Sequence, residues 1–300
     1  MIQTWRITPT QNIKLDLNAS SLDEVTHQLP EGYYSTFRTF DGGTRVLGLT
    51  AHFRRLYEPV SVPEVHESFL RRQLHALLEP YRVEEARVRA VMTKQGQVYV
   101  AVEPLKPLPR EIYEKGVSVI TTELQRQHPR LKSTTFIGRS DSERKHIAQE
   151  GIFEALLIKD GKILEGMTSN FFYVIYHRAE RNEWRLSATN AVEAHASSAL
   201  RFAQRDVILG TAGDDVLLGI TRETVIEVAQ RLGLEVKDQP LKRDRLQEAN
   251  EAFLTSSSRG IVPIVKIDDV KIGQGAPGPI TKQLMAAYEA YVIENTEKIL

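Results

Sequence analysis

Apolar and polar positions change period several times along the chain, and each change marks an element. YYSTFRTF (33–40) is aromatic and Thr-rich and predicts a strand ending in the turn signal Asp41-Gly42-Gly43. Thr50 stands as an N-cap before a short helix over 51–58. VRAVMTK (88–94) and QVYVAVEPL (97–105) predict two strands joined by a Gly-containing turn, and GVSVITTEL (116–124) predicts another after a proline-punctuated stretch. In the second half, Ser140-Asp-Ser-Glu143 has the spacing of a capping box, before a short helix ending near Gly151. FEALLI and ILEG flank an Asp160-Gly161 hairpin turn, and NFFYVIY (170–176) predicts a buried strand. Val225, Val228, Ala229 and Leu232 give one helix face after Thr221, ended by Gly233. AFLTSS and IVPIVKI are strands, and Ile280, Leu284, Tyr288 and Tyr291 line a C-terminal helix. Interspersed strands and helices define a mixed α and β class.

QRQHPRLKSTTF (125–136) has little periodicity and separates the two halves. The expected organisation is therefore an N-terminal unit over 1–124, a crossing over 125–136 and a C-terminal unit over 137–300. The polar stretch RNEWRLSATNAVEAHASSALRFAQRDVILG, covering 181–210, reads as a surface excursion or a lid.

Composition narrows the chemistry. The 300 residues are 41% hydrophobic and 26% charged, a mix suited to a packed globular protein. Thirty-nine basic residues balance 39 acidic ones, which removes the electrostatic footprint of a dedicated nucleic-acid binder. With no cysteine, thiolate metal sites, disulfides and a cysteine nucleophile are excluded. No apolar run approaches the ~20 residues needed to span a bilayer, and the opening MIQTWRITPTQNIKLDLNAS holds no signal-peptide core. A cytoplasmic location is expected.

Two motif matches carry little. Gly273-x-Gly275-x-x-Gly278 is followed by too little chain for a dinucleotide-binding unit, and Pro277 and Pro279 make it a stiff loop. The eight histidines show no zinc-type spacing, and Asp214-Asp215 and Asp268-Asp269 read as turn acids. What remains is dispersed: Lys132 in the crossing, Glu165 at a strand end, Gly219-Ile220-Thr221-Arg222 opening a helix, and Thr255-Ser256-Ser257-Ser258 ending a strand. A helix start with hydroxyls suits a phosphate, a lysine can form a Schiff base, and a carboxylate can hold a pyridinium proton.

Taken in order, LKSTTF, EALLIKDGKILEGMTSNFF, VLLGITRETVIEVA and EAFLTSSSRGIVPI resemble the fold-type-IV pyridoxal-phosphate enzymes, or class IV aminotransferases. These include branched-chain and D-amino-acid aminotransferases and aminodeoxychorismate lyases. YYSTFRTFDGGTRVLGLTAHFRRLYEPV adds a similar N-terminal half, so the resemblance spans about residues 33–285. It implies a smaller N-terminal α/β domain, a larger C-terminal pseudo-barrel domain and a homodimer. It assigns the pyridoxal 5′-phosphate lysine to Lys132, the acid on the pyridine nitrogen to Glu165 and the phosphate arginine to Arg55. Ile220 and Thr221 at the helix start, with Ser256 and Ser257, complete the cofactor set it implies. Tyr34, Arg38, Ser169 and Arg259 fall on its substrate side, and Arg87 and Arg89 are further candidates for the substrate carboxylate. Three features depart from the family pattern: Thr135-Phe136 in place of an Asn-Tyr pair, the lack of an Arg-x-His trap near VRAVMTKQGQ, and the long polar stretch.

The implied activity is transfer of an amino group between an amino acid, with branched-chain or similar aliphatic substrates in the lead, and a 2-oxo acid. Aminodeoxychorismate lyase is the alternative on the same fold, toward which TSSSRGIVPI leans. A non-catalytic binding module is the third reading, and retention of both Lys132 and Glu165 argues against it.

Overall fold

The computed structural model describes residues 1–82, 84–176 and 207–300. The stretch read from sequence as a lid or excursion lies outside the described residues except for its last four positions, which belong to a strand.

Strands β1 (Gln3–Ile7), β2 (Asn12–Leu15) and β3 (Gly32–Arg38) precede the short β4 (Arg45–Leu47), and β5 (Ala86–Thr93) and β6 (Val98–Pro104) follow. They form an antiparallel sheet in the order β2-β1-β6-β5-β3, with β4 outside it. Helices α1 (Leu22–His27), α2 (Leu49–Tyr57) and α3 (Glu67–Leu78) are interleaved with these strands. The two-residue period of a strand sorts the side chains. Val88, Ala90 and Met92 of β5 and Val98, Val100 and Val102 of β6 enter one core with Phe37, Phe53 and Leu74. Tyr34, Thr36, Arg87 and Arg89 alternate with that apolar set along β3 and β5, so they share the opposite face.

After α4 (Arg110–Lys115) come β7 (Val117–Thr122), α5 (Thr135–Arg139), α6 (Asp141–Gln149), β8 (Glu154–Lys159), β9 (Lys162–Gly166) and β10 (Asn170–Tyr176). Then follow β11 (Val207–Thr211), α7 (Ile220–Arg231), β12 (Glu235–Asp238), β13 (Glu251–Ser256), β14 (Gly260–Ile267), β15 (Val270–Lys271), α8 (Pro279–Asn295) and β16 (Thr296–Lys298). Strands β10, β13, β14, β7, β8 and β9 pair in sequence, and β9 returns to β10 through Glu165 and Asn170. Six strands thus close into a barrel, with β11 and β12 continuing from β10. One barrel core packs Phe171, Leu254, Val262 and Ile264, and a second cluster seats α7 and α8 against Phe172 and Phe253.

The hairpin between β8 and β9 turns at Asp160 (φ 50°) and Gly161 (φ 69°), as the Asp-Gly pair predicts. Two caps differ from expectation. Helix α2 begins at Leu49 behind Gly48 (φ 65°), where any Cβ would meet Ile220 at 2.7 Å. Thr50 lies inside the first turn, and its amide and hydroxyl bond to Glu297 instead. The Ser140 capping box does not form either. Ser140 sits at helical angles because α5 runs almost directly into α6, and its hydroxyl donates back to Ile137 O. The sequence reading also passed over α3, which buries Leu70, Leu74, Leu77 and Leu78 at helical spacing. The glycine run at 273–278 is a loop. Its last glycine caps α8, whose first amides, on Ile280 and Thr281, already donate to the Glu251 carboxylate.

No helix among the described residues is long and apolar enough to cross a membrane. Among them no group of His, Asp and Glu is placed to hold a metal.

Candidate active site

The crossing segment is pinned to β3. Tyr34 N donates to Lys132 O at 2.9 Å and Thr134 N to Gly32 O at 3.0 Å, so residues 132–134 run beside the strand edge. Lys132 therefore leaves a fixed backbone. Its Nζ lies 5.1 Å from the centre of the Tyr34 ring and faces a cleft of about 390 Å³. Glu165, Arg55, Ser169, Ile220, Thr221, Ser256 and Ser257 line the same cleft, so seven of the residues assigned from sequence converge on Lys132. Tyr34 and Arg259 line the wider mouth next to it, together with Arg87 and Arg89. Arg38 does not reach either. It stacks over Phe40 at 4.7 Å, in a separate depression with Tyr113 and Tyr288.

Removal from water pushes the Lys132 ammonium well below its usual value, and Arg55, Arg126 and Arg89 push in the same direction, against Glu165. A lysine so placed gives up its proton more readily than a free one, toward the form that attacks a carbonyl carbon. His52, buried beneath Phe37 with its Nδ1 2.8 Å from Ser35 Oγ, is held neutral by burial and by Arg55 and Lys132. Desolvation brings the Arg55 guanidinium down to about 10, still charged at neutral pH, and Arg55 donates to Leu218 O.

Glu165 is the most tightly specified group. Its Oε1 accepts from Arg126 Nε at 2.7 Å, and its Oε2 accepts from Asn170 Nδ2 at 3.2 Å and Leu217 N at 3.1 Å. Burial raises its proton affinity above that of an ordinary glutamate, and Arg126 opposes the rise. Arg126 in turn donates to Met167 O at 2.8 Å and lies 3.9 Å over the Phe136 ring. Phe136, one of the departures from the family pattern, thus serves as the platform for this arginine. Asn170 also donates to Leu217 O at 2.7 Å, and it packs so closely on Gly219 that a Cβ there would lie 2.0 Å from its Oδ1.

Arg126, Asn170 and Glu154 were not singled out from sequence. Asn170 had a signal, as the last residue of the Glu165-Gly-Met-Thr-Ser-Asn run. Glu154 opens a strand that reads as core, yet it is a buried acid. Its Oε1 accepts from Thr168 N, Thr168 Oγ1 and Ser169 Oγ, and its Oε2 from Arg259 Nη2 at 2.9 Å. Burial works against the charged form of Glu154, but Arg259 and these three donors outweigh it and hold the carboxyl below the usual value.

A barrel closed beside an enclosed lysine of lowered proton affinity, a carboxylate fed by three donors and an uncapped helix start form a site of the cofactor-dependent transferase type. The amino-transferase class IV model matches residues 32–267, and the chain belongs to that family. It is 26% identical over 299 residues to the D-alanine aminotransferase of Bacillus licheniformis, covering 93% of this chain and 94% of that one. It is also 26% identical to a putative branched-chain-amino-acid aminotransferase of Methanocaldococcus jannaschii, covering 92% and 96%. Among solved structures, it superposes at TM-score 0.74 on a T.th. branched-chain amino acid aminotransferase with pyridoxamine 5′-phosphate. That match has 19% identity and covers 99% and 98% of the two chains. A putative branched-chain aminotransferase from Thermotoga maritima matches at TM-score 0.71 and 24% identity, covering 97% and 96%. The chain is a transaminase, and its cofactor is pyridoxal 5′-phosphate.

The residues present fit that cofactor. A carboxylate offers about four lone-pair positions, and Glu165 uses three on protein donors, leaving one. Thr255 Oγ1 is buried in the cleft wall without a protein partner among the described residues. Helix α7 starts at Ile220 with no side-chain cap, so its first amides are open toward Arg55 and the serines, as an anion requires.

Proposed function

We propose that the protein moves an amino group between an amino acid and a 2-oxo acid at Lys132, with Glu165 on the pyridine nitrogen and the phosphate held by Arg55, the α7 start, Ser256 and Ser257. The observation that carries this reading is the pairing of a buried Lys132, its proton affinity lowered, with the buried, arginine-backed Glu165 in one cleft. When bound, the cofactor supplies the electron sink for the bond broken at the substrate Cα. Lys132 carries the cofactor at rest and then moves a proton at Cα. Glu165 keeps the ring nitrogen protonated, because an opposite charge within hydrogen-bond reach favours the charged form. Tyr34 bounds the substrate side.

Of the four arginines considered for the substrate carboxylate, Arg89 acts most directly on Lys132. Its Nε and Nη1 are held by Thr36, Asp23 and Thr26, which aim the guanidinium across β3. It is the proposed receptor for the α-carboxylate. Leu105, Leu108, Phe153 and Met167 in the mouth provide apolar contact for an aliphatic side chain. The same reading takes the chain as a cytoplasmic homodimer, with residues 1–124 and 137–300 as its two domains joined by 125–136. What supports it is the family resemblance, together with the sheet change between β6 and β7.

A half-reaction scan tests the proposal. Single amino acids of both hands are added to the loaded protein, and conversion of the cofactor absorbance to the amine form is followed. At least one amino acid converts the wild type, and none converts Lys132→Ala. Release of product with no amino group left on the cofactor would instead support the lyase. Failure of every amino acid to convert the wild type would refute the transaminase assignment.

A further inference from the structure

Helix α8 packs behind the Lys132 cleft and sends one polar side chain to the walls assigned to the phosphate. Tyr288 is buried in the cluster that seats α7 and α8, with Val225, Ile261 and Leu284. On one side its ring lies against the turn after β13, where a Cβ on Gly260 (φ 66°) would meet Tyr288 Cε1 at 3.3 Å. Gly260 pairs with Ser256 across that turn. Ser257, within the turn, lines both the cleft and the depression that holds Tyr288. On the other side the Tyr288 phenol faces Thr221 in the first turn of α7. One side chain thus backs both elements that meet the phosphate.

Thr221 Oγ1 is the polar atom that arrangement leaves open. Thr221 is 2% exposed and lines the cleft, and its hydroxyl has no hydrogen-bond partner among the described residues. Buried hydroxyls are costly in that state, so this one is built to be satisfied from the cleft. The amides of the α7 start point along a fixed direction, whereas a threonine hydroxyl rotates and has one proton to give and two lone pairs. It donates to an anion in the cleft only if its proton is turned that way, and a donor behind it sets that direction by occupying a lone pair. Removal from water pushes the Tyr288 phenol up to about 12, with Thr221 and Arg38 pulling down and Tyr113 pushing up. Near neutral pH it keeps its proton and can be that donor.

Resting on the placement of the cofactor phosphate at the α7 start, we propose that Tyr288 is a positioning residue whose phenol donates to Thr221 Oγ1 and so turns the Thr221 proton onto the phosphate. Tyr288 acts through Thr221 and not on the cofactor itself.

The test measures equilibrium binding of pyridoxal 5′-phosphate, and of pyridoxal, which lacks only the phosphate, to cofactor-free protein. One hydrogen bond of this kind corresponds to about a two- to ten-fold change in affinity. Tyr288→Phe keeps the ring against Gly260, and it is expected to weaken pyridoxal 5′-phosphate by about that factor while leaving pyridoxal unchanged. Thr221→Val is expected to lose at least as much, and the double variant no more than Thr221→Val alone. Inorganic phosphate, competing with pyridoxal 5′-phosphate, gives a reading free of Lys132, and its affinity is expected to fall in both single variants. Equal losses for pyridoxal and its phosphate would make the phenol a packing group, and additive losses would separate it from Thr221. Either result overturns the proposal, as does unchanged affinity in Tyr288→Phe. If Thr221→Val binds pyridoxal 5′-phosphate as wild type does, the placement of the phosphate fails and the proposal with it. If Thr221→Val weakens binding and Tyr288→Phe does not, the placement stands and only the role of Tyr288 falls.

Discussion

Removing Arg126 is the perturbation whose cost the structure defines best. Arg126 and Glu165 meet at 2.7 Å with side chains only 6% and 3% exposed. On helix α4, Arg110 and Glu114 also meet at 2.7 Å, but at 90% and 54% exposure. Distance is the same and burial is opposite. Breaking a buried pair costs about 3–5 kcal/mol because one charge is stranded out of water. An exposed pair is worth roughly 0.2–1 kcal/mol. Arg126→Met also loses the contact over Phe136 and the bond to Met167 O, so the single variant overstates the ion pair. A double-mutant cycle with Glu165→Gln cancels those terms. We expect a coupling of about 2–3 kcal/mol for Arg126 with Glu165, and less than about 0.5 kcal/mol for Arg110 with Glu114.

The assay is urea unfolding of cofactor-free protein, since a bound ligand would add its own stabilisation. Its pH dependence gives a second reading of the same pair. Glu165 holds its proton more strongly in the fold than in the unfolded chain, where a glutamate has its ordinary value of 4.5. The native state therefore binds more protons over that interval, and stability from this group is fully present below about pH 4.5 and lost as pH rises through the folded value. Without Arg126 that folded value climbs further. The gap between wild type and Arg126→Met should narrow toward pH 4, to what the Phe136 and Met167 contacts contribute, and widen toward neutrality. A coupling within about 0.5 kcal/mol of zero, or a gap of the same size at pH 4 and pH 7, would refute the reasoning.

Two smaller perturbations probe the other walls of the cleft. Arg55→Ala should weaken pyridoxal 5′-phosphate retention by about ten- to hundred-fold, measured by equilibrium dialysis, because a charge-assisted bond is worth about 1.5–3 kcal/mol; unchanged affinity would leave the α7 start and the serines as the whole phosphate site. Gly219→Ala puts a methyl 2.0 Å from Asn170 Oδ1, so it should cost about 1–3 kcal/mol in thermal unfolding and loosen the Asn170 bond to Glu165. A Gly219→Ala protein as stable as wild type would show that Asn170 can yield without consequence.

Local signals in the sequence were readable where local physics decided the outcome. The Asp160-Gly161 turn, the alternating β5 and β6 strands and the Gly233 end of α7 all follow from side-chain period and backbone preference. Thr50 and Ser140 misled for a tertiary reason. Each has the hydroxyl of a cap, but Glu297 claims Thr50 from the far end of the chain, and α5 carries Ser140 into helical angles. The motif-bearing residues Lys132, Glu165, Arg55, Thr221 and Ser257 were legible through the family resemblance, and the cleft brings them together. Arg126 and Glu154 were not, since their partners Glu165 and Arg259 lie 39 and 105 positions away. Only the pairing of β14, β7, β8 and β9 brings such residues into contact, and no window of sequence contains it.

The charge arrangement also explains why one arginine matters at two places. Glu165 is the acid that raises the proton affinity of Lys132, while Arg55, Arg126 and Arg89 lower it. If Glu165 were unpaired, a buried carboxylate beside a buried lysine would favour the ammonium form, which is no nucleophile. Arg126 satisfies Glu165 and adds its own positive charge near Lys132. The same guanidinium therefore opposes the rise in the acid's proton affinity and lowers that of the lysine. A site with these two opposed requirements in one cleft needs a cation that touches one group and only repels the other, and Arg126 occupies that position.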